Sequence, residues 1–343
     1  MTKCALSLSL ILLVQTAAQS QDRLCQTRNV PVNIFSHNQS LKLALSPSDL
    51  EASSGKQTLN IAEIIPRTES HKIVMLSDVS GSMLDAKGGR TAASWYFQWE
   101  LSADFISAVS SQHDVGLAIF ANEMRPLVWP TRDRAALMDQ IQSVGLLQTN
   151  ALSGLDRKTA LWDAIGDTIS KFGPFTAGDA IYVISDGEDN DSRTAPVFVK
   201  EALLDAGVRL FAFRFHVSGA RLDRYDNAPG GLTGLIGKPY WSPTLLQSVA
   251  AETGGWATTV ERPIGSVAPR SLLLTRFAGP SQLRRTLDFL YGLMGGFYTV
   301  RVELPAPRLR AAPLNLSFRG GNNERQRELT ITYPHALTPC SGN

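Results

Sequence analysis

The sequence predicts an α/β fold: a doubly wound, mostly parallel sheet inserted in a small antiparallel β-sandwich that the two chain ends form together. Three observations lead there. Strand-like and helix-like segments alternate through the middle of the 343 residues, the pattern of a parallel sheet with helices on both faces. Both flanks instead alternate apolar and polar residues at period two, as half-buried antiparallel strands do. Finally, an apolar strand beginning near Lys72 runs directly into Asp78-Val79-Ser80-Gly81-Ser82, a turn-rich segment of the kind that follows a buried strand.

The elements follow in order. Residues 1–20 read as a secretory signal: Lys3 is a short positive start, Ala5 to Val14 are apolar but too few to span a bilayer, and small residues lead to cleavage near Ala18 or Ser20. Cys4 would leave with that segment, stranding Cys25 and Cys340 near the ends of the mature chain. In an oxidising compartment a disulfide tying the termini follows, worth on the order of 5 kcal/mol for so long a loop; two unpaired thiols are the alternative. Residues 21–68 and 296–343 form the expected flanking β-domain. Val30, Val32 and Ile34 alternate, as do Leu41, Leu43 and Leu45, and later Tyr298 to Leu304, Leu314 to Phe318 and Leu329 to Tyr333.

Between them, residues 69–295 carry the α/β unit. Strands are expected at Lys72 to Ser77, Asp114 to Phe120, Arg125 to Trp129, Asp179 to Ser185, Val208 to Val217 and Gly255 to Val260. Helical spacing covers Trp99 to Val109, a segment starting near Thr131 as its cap, Thr159 to Phe172, Pro196 to Ala206, Ser242 to Glu252 and Leu283 to Leu293. Ligands of such sheets sit at the carboxyl ends of strands, where strand order reverses. Asp78 and Asp186 both stand at carboxyl ends.

Composition narrows the function. A net charge of +2, with Lys and Arg scattered, offers no polycation for nucleic acid. After removal of the signal, no stretch is long and apolar enough for a transmembrane helix. In an extended loop alternate side chains point the same way, so Asp78, Ser80 and Ser82 converge. Oxygen donors with one charge suit a hard divalent cation, Mg²⁺ first, with Ca²⁺ or Mn²⁺ as alternatives. Mg²⁺ takes about six oxygens, so other loops must contribute.

Asp78-Val79-Ser80-Gly81-Ser82 resembles the Asp-x-Ser-x-Ser signature of von Willebrand factor A (VWA) domains, the metal-ion-dependent adhesion site. Lys158-Thr159-Ala160-Leu161-Trp162 is similar to that family's threonine segment, and Val183-Ile184-Ser185-Asp186-Gly187 to its aspartate segment. The resemblance covers about residues 70 to 295. It implies a Rossmann-like sheet and a metal site of Asp78, Ser80, Ser82, Thr159 and Asp186. It also implies that an Asp or Glu side chain of a partner protein completes the ion's coordination. More loosely, the β-flanks, with Ser48-Asp49-Leu50 and the Gly55-Lys56-Gln57 turn, resemble exported bacterial VWFA-related proteins known from acidobacteria. The implied protein is not an enzyme; it is exported to the periplasm or outside the cell. In some VWA domains the last helix moves when ligand binds, which bears here on Leu283 to Leu293.

Other candidates are weaker. Asp186 to Ser192 is acid-rich but lacks the register of an EF-hand loop; beyond Asp186 it reads as a solvated helix start. Ser218 to Trp241 is long enough to shape partner choice. The aromatics of Gly88 to Trp99 either contact a ligand or bury against the sheet. The five histidines show no metal-ligand spacing. Two rival functions stay open: a metal-assisted hydrolase with Glu188 or Asp189 as general base, and a structural envelope protein whose metal only stabilises loops.

Overall fold

A computed structural model of the chain describes residues 26–338 except 37–38, 41–42, 87–89, 92, 148–149, 217–242, 262–280, 306–310 and 320–328. The signal segment, Cys4, Cys25 and Cys340, Leu41, the Ser218 to Trp241 loop and part of Gly88 to Trp99 lie outside the described residues, wholly or in the part named.

Along the chain come β1 (Thr27–Ser36), β2 (Leu50–Ser54), β3 (Gln57–Arg67), β4 (Lys72–Asp78), α1 (Ala93–Ala108), β5 (Asp114–Phe120) and β6 (Met124–Thr131). Next are α2 (Arg134–Gly145), α3 (Leu161–Phe172), β7 (Ala180–Ser185), α4 (Pro196–Asp205), β8 (Arg209–His216), α5 (Pro243–Glu252) and β9 (Trp256–Glu261). The chain ends with α6 (Ser281–Gly295), β10 (Phe297–Glu303), β11 (Asn315–Phe318) and β12 (Thr330–Thr332).

The central sheet has six strands in the order β9-β8-β7-β4-β5-β6, parallel except for β6, which pairs antiparallel with β5. From β4 the chain first moves outward to β5 and β6, then returns to β7 on the other side. The β4/β7 gap is therefore where strand order reverses, and the loops after β4 and β7 meet there. Alternate strand residues feed two separate cores. Met75, Leu117, Tyr182 and Phe213 pack with α1, α2 and α6; Val74, Ala118, Val183 and Leu210 pack with α3, α4 and α5. Near-continuous apolar strands of this kind are what a sheet covered on both faces requires.

The two chain flanks do join, as expected, in one antiparallel sheet with strand order β11-β2-β3-β10-β1-β12. A short strand, Gln39–Ser40, pairs off this path with the end of β1. Val30, Val32, Val300 and Val302 project into one shared core. Leu43 and Leu45 do not form the expected strand, because the Leu43 backbone is held on the Tyr298 hydroxyl, which donates to its carbonyl at 2.9 Å. The start of α2 is also corrected. Asp133 is the cap, its carboxylate accepting from the Ala136 N–H, while Thr131 only accepts from the Asp133 N–H. An acidic cap accepts this bond as well as a hydroxyl does.

Arg209, at the start of β8, fastens the flanking sheet to the central one. It is fully buried and donates to the carbonyls of Gly178, Leu293 and Met294. The last two lie in the final turn of α6, where a cation complements the helix dipole. Its guanidinium sits 4.1 Å over the Phe297 ring of β10. Burial nonetheless pushes its pKa down to about 9. Phe297 needs a glycine beneath it: a Cβ on Gly178 would lie 2.1 Å from the ring, and the φ of +100° there is itself glycine territory. Among the described residues no helix is long and apolar enough to cross a membrane.

Arg209→Met should strand three buried carbonyls and lower stability by about 3 kcal/mol, read as a shift in the urea midpoint with an unchanged slope. An unaltered midpoint would show that the junction does not need the cation.

A candidate metal centre at the strand ends

Asp78 closes β4 and is fully buried. One carboxylate oxygen accepts from the Ser80 N–H at 2.8 Å; the other accepts from the Ser185 hydroxyl at 2.6 Å. The Ser80 and Ser82 hydroxyls lie 3.2 Å apart, but not through the extended alternation expected: Gly81–Leu84 is a helical turn, with the Leu84 N–H donating to the Ser80 carbonyl at 3.0 Å. Ser80 is buried, and Asp186, just beyond β7, is 4% exposed. Its carboxylate accepts from the Glu188 N–H at 3.0 Å.

Three loops are stitched into this arrangement by backbone bonds. The Val79 N–H donates to Phe120, at the end of β5, and the Gly81 N–H donates to the Arg157 carbonyl at 2.9 Å. Ala160 N–H donates to Ala121 at 2.7 Å, and the N–H groups of Asn190 and Asp191 both donate to the Thr159 carbonyl. In return the Asn190 side chain accepts from the Thr159 N–H at 3.0 Å. Thr159 is thus buried between the other two loops. Gly81 allows the closest approach, since a Cβ there would stand 3.1 Å from the Cβ of Arg157.

Electrostatics follow from this packing. Burial first, and the nearby Asp186 charge second, push the Asp78 carboxyl up to about 7. Glu188 is pushed up to about 7 as well, by burial and then by Asp186. A site that crowds carboxylates out of water favours either a proton or a cation between them. Two carboxylates with hydroxyls beside them form a donor set that fits a hard divalent ion. Among the described residues no group of three or more His, Cys, Asp or Glu could hold a metal.

The acidic run after Asp186 is not a solvated helix start. Asp189 is fully buried; its carboxylate accepts from Trp162 N–H at 3.0 Å and from the Ser192 hydroxyl. The Ser192 hydroxyl also accepts from the N–H groups of Trp162 and Asp163. Together they cap α3 from a distant segment, which satisfies N–H groups that a helix start leaves open. Trp95 and Trp99 are buried in the core on the α1 side, so these aromatics pack against the sheet. His71 and His113 stack at 4.0 Å near the far end of the sheet, where burial pushes both down to about 4.

Sequence reasoning missed Ser185 and Asn190. Ser185 links Asp78 to the β7 loop by donating to Asp78 while accepting from the Gly187 N–H at 2.9 Å. Its place directly before Asp186 was the available signal.

No protein-family model matches the chain, and no curated protein matches it in sequence. Among solved structures, the conserved hypothetical protein BatB of Bacteroides thetaiotaomicron is similar at 19% identity, over 57% of this chain and 92% of that one, with a TM-score of 0.40. Proximal thread matrix protein 1 from the mussel byssus, described with a zinc-occupied MIDAS motif, is similar at 12% identity over 70% of this chain and 50% of that one, with a TM-score of 0.44. A von Willebrand factor type A protein from Catenulispora acidiphila is similar at 11% identity over 91% and 73%, with a TM-score of 0.40. The fold and site described above stand on strand order and loop bonding alone.

Ser185→Ala removes a hydrogen bond that orients Asp78. It should leave the fold intact and weaken divalent-metal binding by about 10- to 100-fold, the usual effect of losing a residue that orients a ligand. Calorimetric titration measures it, and an unchanged affinity would place the ion away from Asp78.

Proposed function

We propose that the chain is an exported, non-enzymatic protein-binding module of the VWA type whose binding depends on a divalent metal, Mg²⁺ first among the candidates. The observation that carries this reading is the convergence of three separately bonded loops on a buried Asp78 that already feels the charge of Asp186. Asp78, Ser80, Ser82, Thr159 and Asp186 would hold the ion. When bound, it supplies an electrophilic centre to which a partner's Asp or Glu can attach with a charge-assisted contact. The chain's own residues orient and neutralise. Asp78 and Asp186 balance two positive charges. Hydroxyls add none, and Ser185 and Asn190 fix the loops. Export to the periplasm or beyond is supported by the signal-like pattern of residues 1–20.

One feature favours the hydrolase instead: Glu188, with its carboxyl near 7, has the affinity a general base uses. Asp189 is not available for that work, since it caps α3. Mg²⁺-dependent turnover of phosphate or ester substrates, lost in Glu188→Gln, would decide for the hydrolase.

Calorimetry with Mg²⁺ should give a saturable heat that disappears in Asp78→Ala. Because the proton competes for a carboxyl near 7, affinity should be level above pH 7 and fall by up to about tenfold per unit as pH drops below it. Equal heats in wild type and Asp78→Ala would end the reading.

A further inference from the structure

Two exposed apolar pairs bracket the candidate metal centre. Among the described residues the exposed large hydrophobics are Trp129, Leu146, Leu147, Val197 and Phe198. Isolated exposed apolar residues are ordinary; here it is their placement that carries weight. Trp129 lies toward the far end of β6, against Phe172 at the end of α3. The other four stand at the end of the sheet that carries Asp78.

Leu146 and Leu147 directly follow α2. The carbonyl of Gly145 beside them accepts from the Trp95 indole N–H at 2.9 Å. The neighbouring Ser94 hydroxyl donates to Met83, next in sequence to Ser82. Val197 and Phe198 open α4. Just before them, the N–H groups of Arg193 and Thr194 donate to Asp163, in the first turn of the helix that follows Thr159. The two pairs therefore hang on the loops that form the site. They fall on opposite faces of the sheet, because α2 belongs to one core and α4 to the other.

Neither pair is explained by folding. Phe198 leaves 62% of its surface in water, and Leu147 is the one non-glycine with positive φ, at 58°, among the described residues. Left-handed backbone is unfavourable for a residue with a Cβ. Next to Thr159, Lys158 is half exposed, and its ammonium lies within ion-pair reach of Asp156 and Asp191. With an ion held at the site, apolar shoulders around it would complement an acidic side chain that has apolar neighbours.

We infer that the partner presents an extended segment in which one Asp or Glu stands between apolar residues, the acid directed to the metal and its neighbours seated on Leu146–Leu147 and Val197–Phe198. This rests on the metal-dependent binding proposed above.

The test uses the full-length mature protein with Mg²⁺ and labelled peptides, read by fluorescence anisotropy. The probes are Leu-Phe-Asp-Leu-Phe, Ser-Ser-Asp-Ser-Ser and Leu-Phe-Asn-Leu-Phe, each end-blocked. The first should bind at least about tenfold more tightly than either of the others, as burial of one aromatic side chain permits. Phe198→Ser combined with Leu147→Gly should abolish the preference while leaving the Mg²⁺ heat unchanged. Leu147→Gly relieves backbone strain, so a lower melting temperature is not expected from it. A normal Mg²⁺ heat with equal binding of the Asp peptides, with no peptide binding, or with a preference that survives both substitutions would overturn this inference alone. An absent Mg²⁺ heat in the wild type would overturn it together with the metal-dependent reading.

Discussion

Asp78 and Asp186 come from two strands separated by more than a hundred residues of chain, yet their carboxylates are brought together in a place with almost no water. Burial first, and repulsion between the two carboxylates second, raise the proton affinity of Asp78. A protein tolerates such crowding where something positive occupies the gap or where hydrogen bonds hold the geometry against repulsion. The second condition is met here. Ser185 and the Ser80 N–H hold Asp78, and the N–H of Glu188 holds Asp186.

The rest of the α/β unit is arranged to keep those loops in register. Reversal of strand order between β4 and β7 puts their carboxyl ends side by side. Thr159 is then clamped from both sides, by Asn190 and Asp191 on one and, through Ala160 and Arg157, by the β5 and β4 loops on the other. Even α3 is started by residues of the β7 loop, Asp189 and Ser192, so that a shift of one loop would disturb the next. At the opposite end, Arg209 binds the last carbonyls of α6, and Arg284 of the same helix grips Asp104 of α1 with two short bonds. The final helix is fastened at both ends, and its C-terminal fastening is shared with the flanking sheet.

Much of this was legible in the sequence, for stated reasons. Apolar runs such as Asp114 to Phe120 marked the parallel strands because both faces are buried. Period two in Val30 to Ile34 and Tyr298 to Val302 marked the flanking strands, although the structure buries both of their faces from Val30 to Phe35 and from Phe297 to Val300. The spacing of Asp78, Ser80 and Ser82 marked the first loop, but for another reason than alternation, since a helical turn at Gly81–Leu84 places Ser82 beside Ser80. What sequence could not give was partnership across the chain. Leu43 looked like a strand residue until Tyr298 supplied a different partner for its backbone. Asp189 looked like surface acid until the N-terminus of α3 was found against it. Ser185 passed as one more strand residue because its role depends on the neighbouring strand.

The most direct measurement is a crystal of the protein soaked in Mn²⁺ and recorded at the manganese absorption edge. The account predicts one strong anomalous peak between the carboxylates of Asp78 and Asp186, with the hydroxyls of Ser80, Ser82 and Thr159 turned toward it. A saturated crystal with no peak there, or with its peak on the acidic residues beyond Asp186, would contradict the account.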